Sequence, residues 1–406
     1  MTPRATSLPF PPSEYRARLA RVREKAARLG VDALLVHSPE NTYYLTGLRG
    51  MGYSIYQALL IPQGGDLAFV TRTYEATSSV PGTSNLREAL GYDDTENPLE
   101  LVRSLLAKRG LRRAVIGIDE SSRNLTCFQY RTLRQLCRPA RFVDCSGLVE
   151  SVRLTKSPAE LAYIRQAARA TRAGVLAGIR AAKPGATEND VAAEVYRAMI
   201  KQGSEYPGYP PFIPSGPRTA LAHASWERRT IRRGDLVLLE LTGTVMRYHA
   251  PMARTVVAGK ASRRLARIGQ AVAEAFERAV EAIRPGVESG EVHQAAYGAI
   301  ERAGLGAYFD RNTGYSVGIA FPPTWSEART VPHYVRRSRL AAAGIDGRRF
   351  YLSRNNPSRL EPGMVFHVVP GILIPGFCNV MVSGTVAVRD DGAEVVTDLE
   401  RRLFTH

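Results

Sequence analysis

Long apolar runs are missing from this sequence: nowhere does it approach the ~20 consecutive apolar residues that a membrane-spanning helix requires. The opening stretch, MTPRATSLPFPPSEYRARL, also lacks an apolar core of signal-peptide length, so a soluble, cytoplasmic protein with no membrane partner is expected. Cysteine is sparse. The four, Cys127, Cys137, Cys145 and Cys378, show neither metal-ligand spacing nor a dense disulfide framework, and read as reduced thiols. Acidic residues are outnumbered, 38 Asp and Glu against 55 Lys and Arg, for a net charge of +17. The arginines are scattered through helical stretches and no nucleic-acid-binding motif accompanies them, so nucleic acid is not an expected partner. A small anionic substrate accounts for the charge as well. What remains is 406 residues, 44% hydrophobic and 23% charged, enough for two globular domains.

Along the chain, Pro11-Pro12-Ser13 leads into a helix over 14–29, with Tyr15, Leu19, Val22, Ala26 and Leu29 at helical spacing and Gly30 as its cap. Short apolar runs follow at 33–37, 58–61, 67–70 and 114–119, separated by helical patterns such as 98–109. That alternation predicts an α/β domain with a central sheet over 1–153. At Lys156-Ser157-Pro158 an N-cap and a helix-opening proline start a second domain, 154–406. It contains an internal repeat. PGATENDVAAEVYRAMIKQG from Pro184 and PGVESGEVHQAAYGAIERAG from Pro285 align in register, each after a long helical pattern, 159–181 and 263–283. Two such units predict a pseudo-twofold pair with helices outside, sheets together, and a pocket between the sheets.

The stretch 233–260, RGDLVLLELTGTVMRYHAPMARTVVAGK, reads as two strands and a turn, with Val237 to Leu239 and Thr255 to Ala258 as apolar runs. Glu240 sits at the inner end of the first. A carboxylate there costs several kcal/mol unless it is paired or hydrogen-bonded; an ion pair with Arg247 or Arg254 is one reading and a functional site the other. His223, His249, Tyr315 and His367 lie at comparable strand or strand-end positions. A single such histidine is more often a hydrogen-bonded core residue than a catalytic one, whereas several converging on a buried Glu point to chemistry.

The chain resembles the creatinase/prolidase family, with the "pita-bread" fold, over nearly its whole length. The resemblance is carried by NTYYLTG at 41–47, then TKSPAEL, PFIPSG, RRGDLVLLEL, ARTVVAG, TGYSVGI and LEPGMVFHVVPG. It implies a mixed α/β (α+β) protein: an N-terminal creatinase-like domain that helps form a homodimer, and a C-terminal pita-bread catalytic domain. The family's metallopeptidases hold two metal ions with two Asp, one His and two Glu. Here those positions carry Glu240, Pro251, Tyr315, Val369 and Ser383, a set too poor in ligands for such a site. No metal or other cofactor is therefore expected, and metallopeptidase activity is rejected.

The family's catalytic His is kept as His223, and the combination resembles the metal-free branch of ectoine hydrolases and creatinases. RYH-P---RT at 247–255, TGY at 313–315, FPPTW at 321–325 and MVFH ending at His367 carry that closer likeness. It implies hydrolysis of a C–N bond in a small carboxylated amidine or guanidine. Glu240 would hold the cationic group and His223 act as general acid/base. His249, Tyr315 and His367 would orient substrate or water, and Arg49 or Arg72 would bind a substrate carboxylate. Two departures are plain: CNVMVSGTV at 378–386 has no acid where ectoine hydrolases have acidic residues, and 328–359, with His333 and several Arg, is longer than the family loop. A non-hydrolytic reaction (cyclisation, elimination or isomerisation) on the same fold, and an inactive binding protein, are the other two readings.

Overall fold

The alternation of apolar runs and amphipathic helices resolves, in the computed structural model, into two units: Met1–Arg153 with Arg329–Gly347, and Leu154–Ala328 with Arg348–His406. The structure describes residues 8–331 and 338–406; His333 lies outside the described residues. Most of the long 328–359 excursion therefore groups with the N-terminal unit and not with the C-terminal domain to which 154–406 assigned it.

In the first unit, β1 (Ala33–Val36), β2 (Ala58–Pro62), β3 (Ala68–Arg72), β4 (Glu88–Tyr92), β5 (Val115–Ile118) and β6 (Arg141–Asp144) form one sheet in the order β4-β3-β2-β1-β5-β6. The apolar runs account for β1, β2, β3 and β5. The outer strands β4 and β6 went unread because their side chains are only half-buried, so neither shows a continuous apolar run. Val102, Leu105 and Leu106 of the helix Pro98–Lys108 and Leu133 of the helix Cys127–Leu136 close one buried core with Leu35, Leu60, Val70 and Ile116.

In the second unit the repeat becomes two helix pairs, Pro158–Ala181 with Glu188–Lys201 and Arg263–Ala282 with Ser289–Arg302. Gly185 and Gly286, equivalent in the repeat, both take left-handed φ values, 92° and 83°, in the turn that reverses the chain between the helices of each pair. The predicted strands at 233–260 are longer than their apolar runs: β7 (Leu236–Val245) and β8 (Tyr248–Val257) form a ten-residue hairpin, which puts Glu240 in mid-strand. A short strand, β16 (Phe404–Thr405), pairs in parallel beside β8. The other sheet is β10-β9-β11-β14-β15, made from β9 (Gly314–Ser316), β10 (Tyr351–Leu352), β11 (Val365–Val368), β14 (Gly384–Arg389) and β15 (Gly392–Val395), with a separate β12 (Gly371–Ile374)–β13 (Cys378–Met381) hairpin.

The β7–β8 turn places Met246 and Arg247 at φ of 46° and 61°, a conformation that side chains other than Gly and Asn resist. Two carboxylate oxygens of Glu205 accept from the Met246 and Arg247 amides, and the buried Arg247 guanidinium donates to the carbonyls of Ala320 and Tyr206. These bonds hold the strained turn. None of the described helices is long and apolar enough to cross a membrane, and no disulfide joins the cysteines.

Alternation sends Val237, Leu239 and Leu241 of β7 into the core under the helix Pro158–Ala181, and Leu238 and Glu240 to the opposite face. Helix and strand approach closely at Gly243, where a β-carbon would lie 2.5 Å from the Ala167 carbonyl and 2.7 Å from the Ala170 β-carbon. Gly243→Ala is expected to force them apart and destabilise the protein by about 1–3 kcal/mol, read as a lower denaturant midpoint at unchanged slope.

Candidate functional site

Glu240 is built into the face of β7 that turns away from the helices. It exchanges both backbone hydrogen bonds with Phe212, 2.8 and 3.0 Å, and pairs with Ala253 on β8. Directly opposed residues of this kind place their side chains side by side on one face, so the carboxylate is flanked by Phe212 and Ala253. Leu238, Ala253, Val369 and Met381 form an apolar cluster on that face, with Tyr315 packed against it. Burial in these surroundings pushes the Glu240 carboxyl up to about 7, opposed only by the more distant charge of Arg311.

The ion-pair reading of Glu240 is overturned. Arg247 is held by Ala320, Tyr206 and Glu205, with its guanidinium 4.1 Å from the Tyr206 ring centroid. Arg254 donates to the carbonyls of Ala253, Ser383, Leu399 and Glu400. Neither bonds Glu240: Arg254 is registered opposite Leu239, on the other face of the hairpin from Glu240 and Ala253, and Arg247 lies in the turn.

Aromatic rings continue the wall. Phe212 lies 5.5 Å from Trp325 and 5.8 Å from Tyr209, and Tyr209 lies 5.2 Å from Trp325, centroid to centroid. His223 stands 5.5 Å from Phe212, on an exposed turn at φ 58°. Its loop is pinned at both ends by one buried carboxylate: Glu188 accepts from the Ser215 amide and hydroxyl and the Glu227 amide, and pairs with Arg218. Glu188, Tyr209 and Phe212 were not singled out from the sequence, although Phe212 lies inside the PFIPSG motif.

A chain of hydrogen bonds runs behind the apolar cluster. Trp325 Nε1 donates to the Tyr315 hydroxyl at 2.8 Å, that hydroxyl meets His367 Nδ1 at 2.9 Å, and His367 Nε2 meets Ser383 Oγ at 2.7 Å. Ser383 Oγ also accepts from the Ala253 amide. Burial lowers His367 to about 3, so its ring is neutral and carries one proton. With that proton on Nδ1, His367 donates to Tyr315 while Ser383 donates to Nε2, and the phenol proton turns away from His367. The opposite order runs from phenol through imidazole to serine. His367 and Tyr315 thus meet as a pair, as their opposed positions on β11 and β9 require.

His249 requires a correction. Its Nε2 accepts from the Gly208 amide at 3.0 Å and its Nδ1 donates to the Arg247 carbonyl at 2.9 Å, in a wholly buried setting that holds the ring neutral. Both ring nitrogens serve the backbone, which leaves none to orient substrate or water. Arg72 also needs correcting: its guanidinium is bound by Glu75 through two nitrogens at 3.0 Å each and by Asp94 at 3.4 Å, within the first unit. Arg49 lies half-buried in the same unit, just after the helix Pro39–Thr46.

The five metal-ligand positions implied by the family resemblance hold Glu240, Pro251, Tyr315, Val369 and Ser383. Among the described residues no three His, Cys, Asp or Glu side chains gather as a metal-binding group. Tyr315 and Ser383 are joined through His367, and Val369 belongs to the apolar cluster. One carboxylate in such surroundings does not fit a pair of hard cations that need several oxygen or imidazole ligands.

The raised carboxyl has a thermodynamic consequence. Between its unfolded value, roughly 4.3, and about 7 the native state keeps a proton that the unfolded chain has released. Stability is therefore fullest below the lower value and falls as pH rises toward the upper one. Glu240→Gln removes this loss: relative to wild type its stability is expected to rise by on the order of 3 kcal/mol between pH of about 4 and 8. Denaturant unfolding at both pH values checks it, and a pH-independent difference would contradict the buried setting.

Comparison with known proteins agrees with this architecture. Residues 162–390 match the metallopeptidase family M24 and residues 18–155 the creatinase/prolidase N-terminal domain. The chain is 28% identical over 418 aligned positions to the ectoine hydrolase of Halomonas elongata, covering 98% of each. It is 26% identical to an Xaa-Pro dipeptidase of Pyrococcus horikoshii, covering 95% of this chain and 98% of that one. Among solved structures, a prolidase from Thermococcus sibiricus superposes with a TM-score of 0.82 at 24% identity, covering 97% of this chain and 99% of that one. The chain, with its N-terminal creatinase-like domain and pita-bread domain, belongs to metallopeptidase family M24.

Proposed function

We propose that this protein hydrolyses, without a metal ion, a C–N bond of a small amidine- or guanidine-type substrate that carries a carboxylate. The observation that carries the reading is Glu240: a buried carboxylate facing an apolar and aromatic wall, with no hydrogen-bonded or ion-paired cation among the described residues. A planar amidinium or guanidinium supplies that cation. It offers two parallel N–H donors to the two carboxylate oxygens, and its face suits the neighbouring Phe212 and Trp325 rings. The similarity to ectoine hydrolase, together with a donor set that does not fit the dinuclear site of a dipeptidase, supports a non-peptide C–N bond.

In this scheme Glu240 ionises as the cation binds and orients the electrophilic carbon. His223, beside Phe212, takes a proton from the attacking water and returns it to the departing nitrogen. The C–O bond forms, a tetrahedral carbon bearing oxygen and nitrogen follows, and the C–N bond breaks to give an amide or urea and an amine. Tyr315, held by Trp325 and His367, donates a hydrogen bond toward the polar product. The left-handed backbone of His223 is the kind of local strain that a pinned functional loop sustains.

A second reading is favoured by the lining itself. Leu238, Val369 and Met381 offer no group to hold a nucleophilic water, which suits a cyclisation, elimination or isomerisation run by the same Glu and His. Mass spectrometry of incubations with ectoine and creatine, with and without chelator, separates the readings. Hydrolysis adds one water to the product, persists in chelator, and falls at least ~100-fold in kcat for Glu240→Gln and His223→Asn. A product of unchanged mass, or one that has lost water or ammonia, selects the second reading; activity abolished by chelator and restored by a divalent metal overturns the metal-free scheme.

A further inference from the structure

The expected carboxylate-binding arginines, Arg49 and Arg72, lie in the first unit, and Arg72 is bound by Glu75 and Asp94. The second unit holds another arginine with a different standing. Arg311 lies between the turn Gly306–Tyr308 and β9, is half-buried, and makes no hydrogen bond or ion pair among the described residues. Exposed arginines commonly stand unbonded, but the buried or half-buried Arg18, Arg153, Arg218, Arg229, Arg247 and Arg254 each donate to an acceptor.

Its location is set by β12. Arg311 Nη1 lies 3.6 Å from where a β-carbon of Gly371 would stand, and Met381 Cγ lies 2.8 Å from that same point. Met381, opposite Gly371 on β13, belongs to the apolar cluster that also contains Leu238, Ala253 and Val369 and carries Tyr315. The cluster thus has a carboxylate, Glu240, beside its Ala253 and Leu238 members, and a guanidinium beside its Met381 member. The field of Arg311 reaches Glu240, yet the two do not bond. Protein chains rarely leave a carboxylate and a guanidinium unpaired around one apolar surface, because each loses hydration without gaining a partner.

We propose that Arg311 is the anion-binding half of the substrate site: it takes the substrate's carboxylate through paired N–H···O bonds while Glu240 takes the cationic group, so the site selects small zwitterions whose opposite charges straddle an apolar body. A guanidinium offers a planar fork that matches a carboxylate, which a Lys ammonium does not. A β-carbon at Gly371 would crowd Met381 while only touching the guanidinium, so Gly371 marks where that fork lies beside the cluster. The cation half of this assignment rests on the proposed function; the anion half stands on Arg311 alone.

The test compares three probes by calorimetry and ligand-observed NMR on wild type, Arg311→Met and Arg311→Lys, with folding checked by circular dichroism: acetamidine for the cation half, acetate for the anion half, and ectoine for both. Expected are tighter binding of ectoine than of acetamidine to wild type, about 10- to 100-fold loss of that advantage in Arg311→Met with acetamidine unaffected, and only partial recovery in Arg311→Lys. An advantage of ectoine that survives in Arg311→Met overturns the assignment. If neither acetamidine nor ectoine binds, the proposed function fails on its cation half and the acetate arm decides for Arg311: millimolar acetate binding lost in Arg311→Met supports it, and acetate binding absent from wild type, or equal in both, overturns it.

Discussion

The site rests on one constraint: a carboxylate held in mid-strand on a face where no described residue supplies a bonded cation. The Glu240 backbone is held by two hydrogen bonds to Phe212 and sits opposite Ala253 on β8, with the residue buried. The charge it would carry is disfavoured by burial, and a bound cation is what relieves that cost. An ordinary core would replace such a group with Leu or Val, as Leu238 and Val369 do beside it. Keeping an acid there makes physical sense for a ligand and little sense for the fold.

The surroundings serve that one group in two ways. The buried Glu188 gathers the amides of Ser215 and Glu227, and thereby holds the loop of His223 and the approach to Phe212 in one geometry. Behind the apolar cluster, the Trp325–Tyr315–His367–Ser383 chain pairs the hydroxyls of Tyr315 and Ser383, two of the positions where the metallopeptidases of the family are expected to carry ligands. The replacement is self-consistent. Removing a carboxylate from a metal site leaves the other ligands as unpaired buried charges, whereas a phenol, a neutral imidazole and a hydroxyl hydrogen-bond one another without any ion.

Much of this was legible along the chain. The helix-opening Ser157-Pro158, the paired Pro-Gly turns and the short apolar runs state local preferences that tertiary structure respects, and they predicted the helices at 14–29, 98–109, 159–181 and 263–283, the inner strands of the first sheet and the β7–β8 hairpin. Strand and strand-end positions singled out Glu240, Tyr315 and His367, and the fold brings Tyr315 and His367 into contact. Half-buried strands such as β4 and β6 were illegible because their pattern differs little from that of a polar loop.

By itself, then, the sequence determined the fold, the family and the inventory of ionisable groups, because periodicity, caps and turn residues act between near neighbours. Only the tertiary structure decided which of those groups are committed. His249 is engaged by the Gly208 amide 41 residues away, Arg254 by carbonyls at Ser383, Leu399 and Glu400, and Arg72 by carboxylates of its own unit, while Arg311 and Glu240 find no bonded side-chain partner among the described residues around one apolar cluster. A hydrogen bond is satisfied or not by atoms brought within about 3 Å, and for these groups the partner comes from another strand or loop. No pattern read along the chain contains that information.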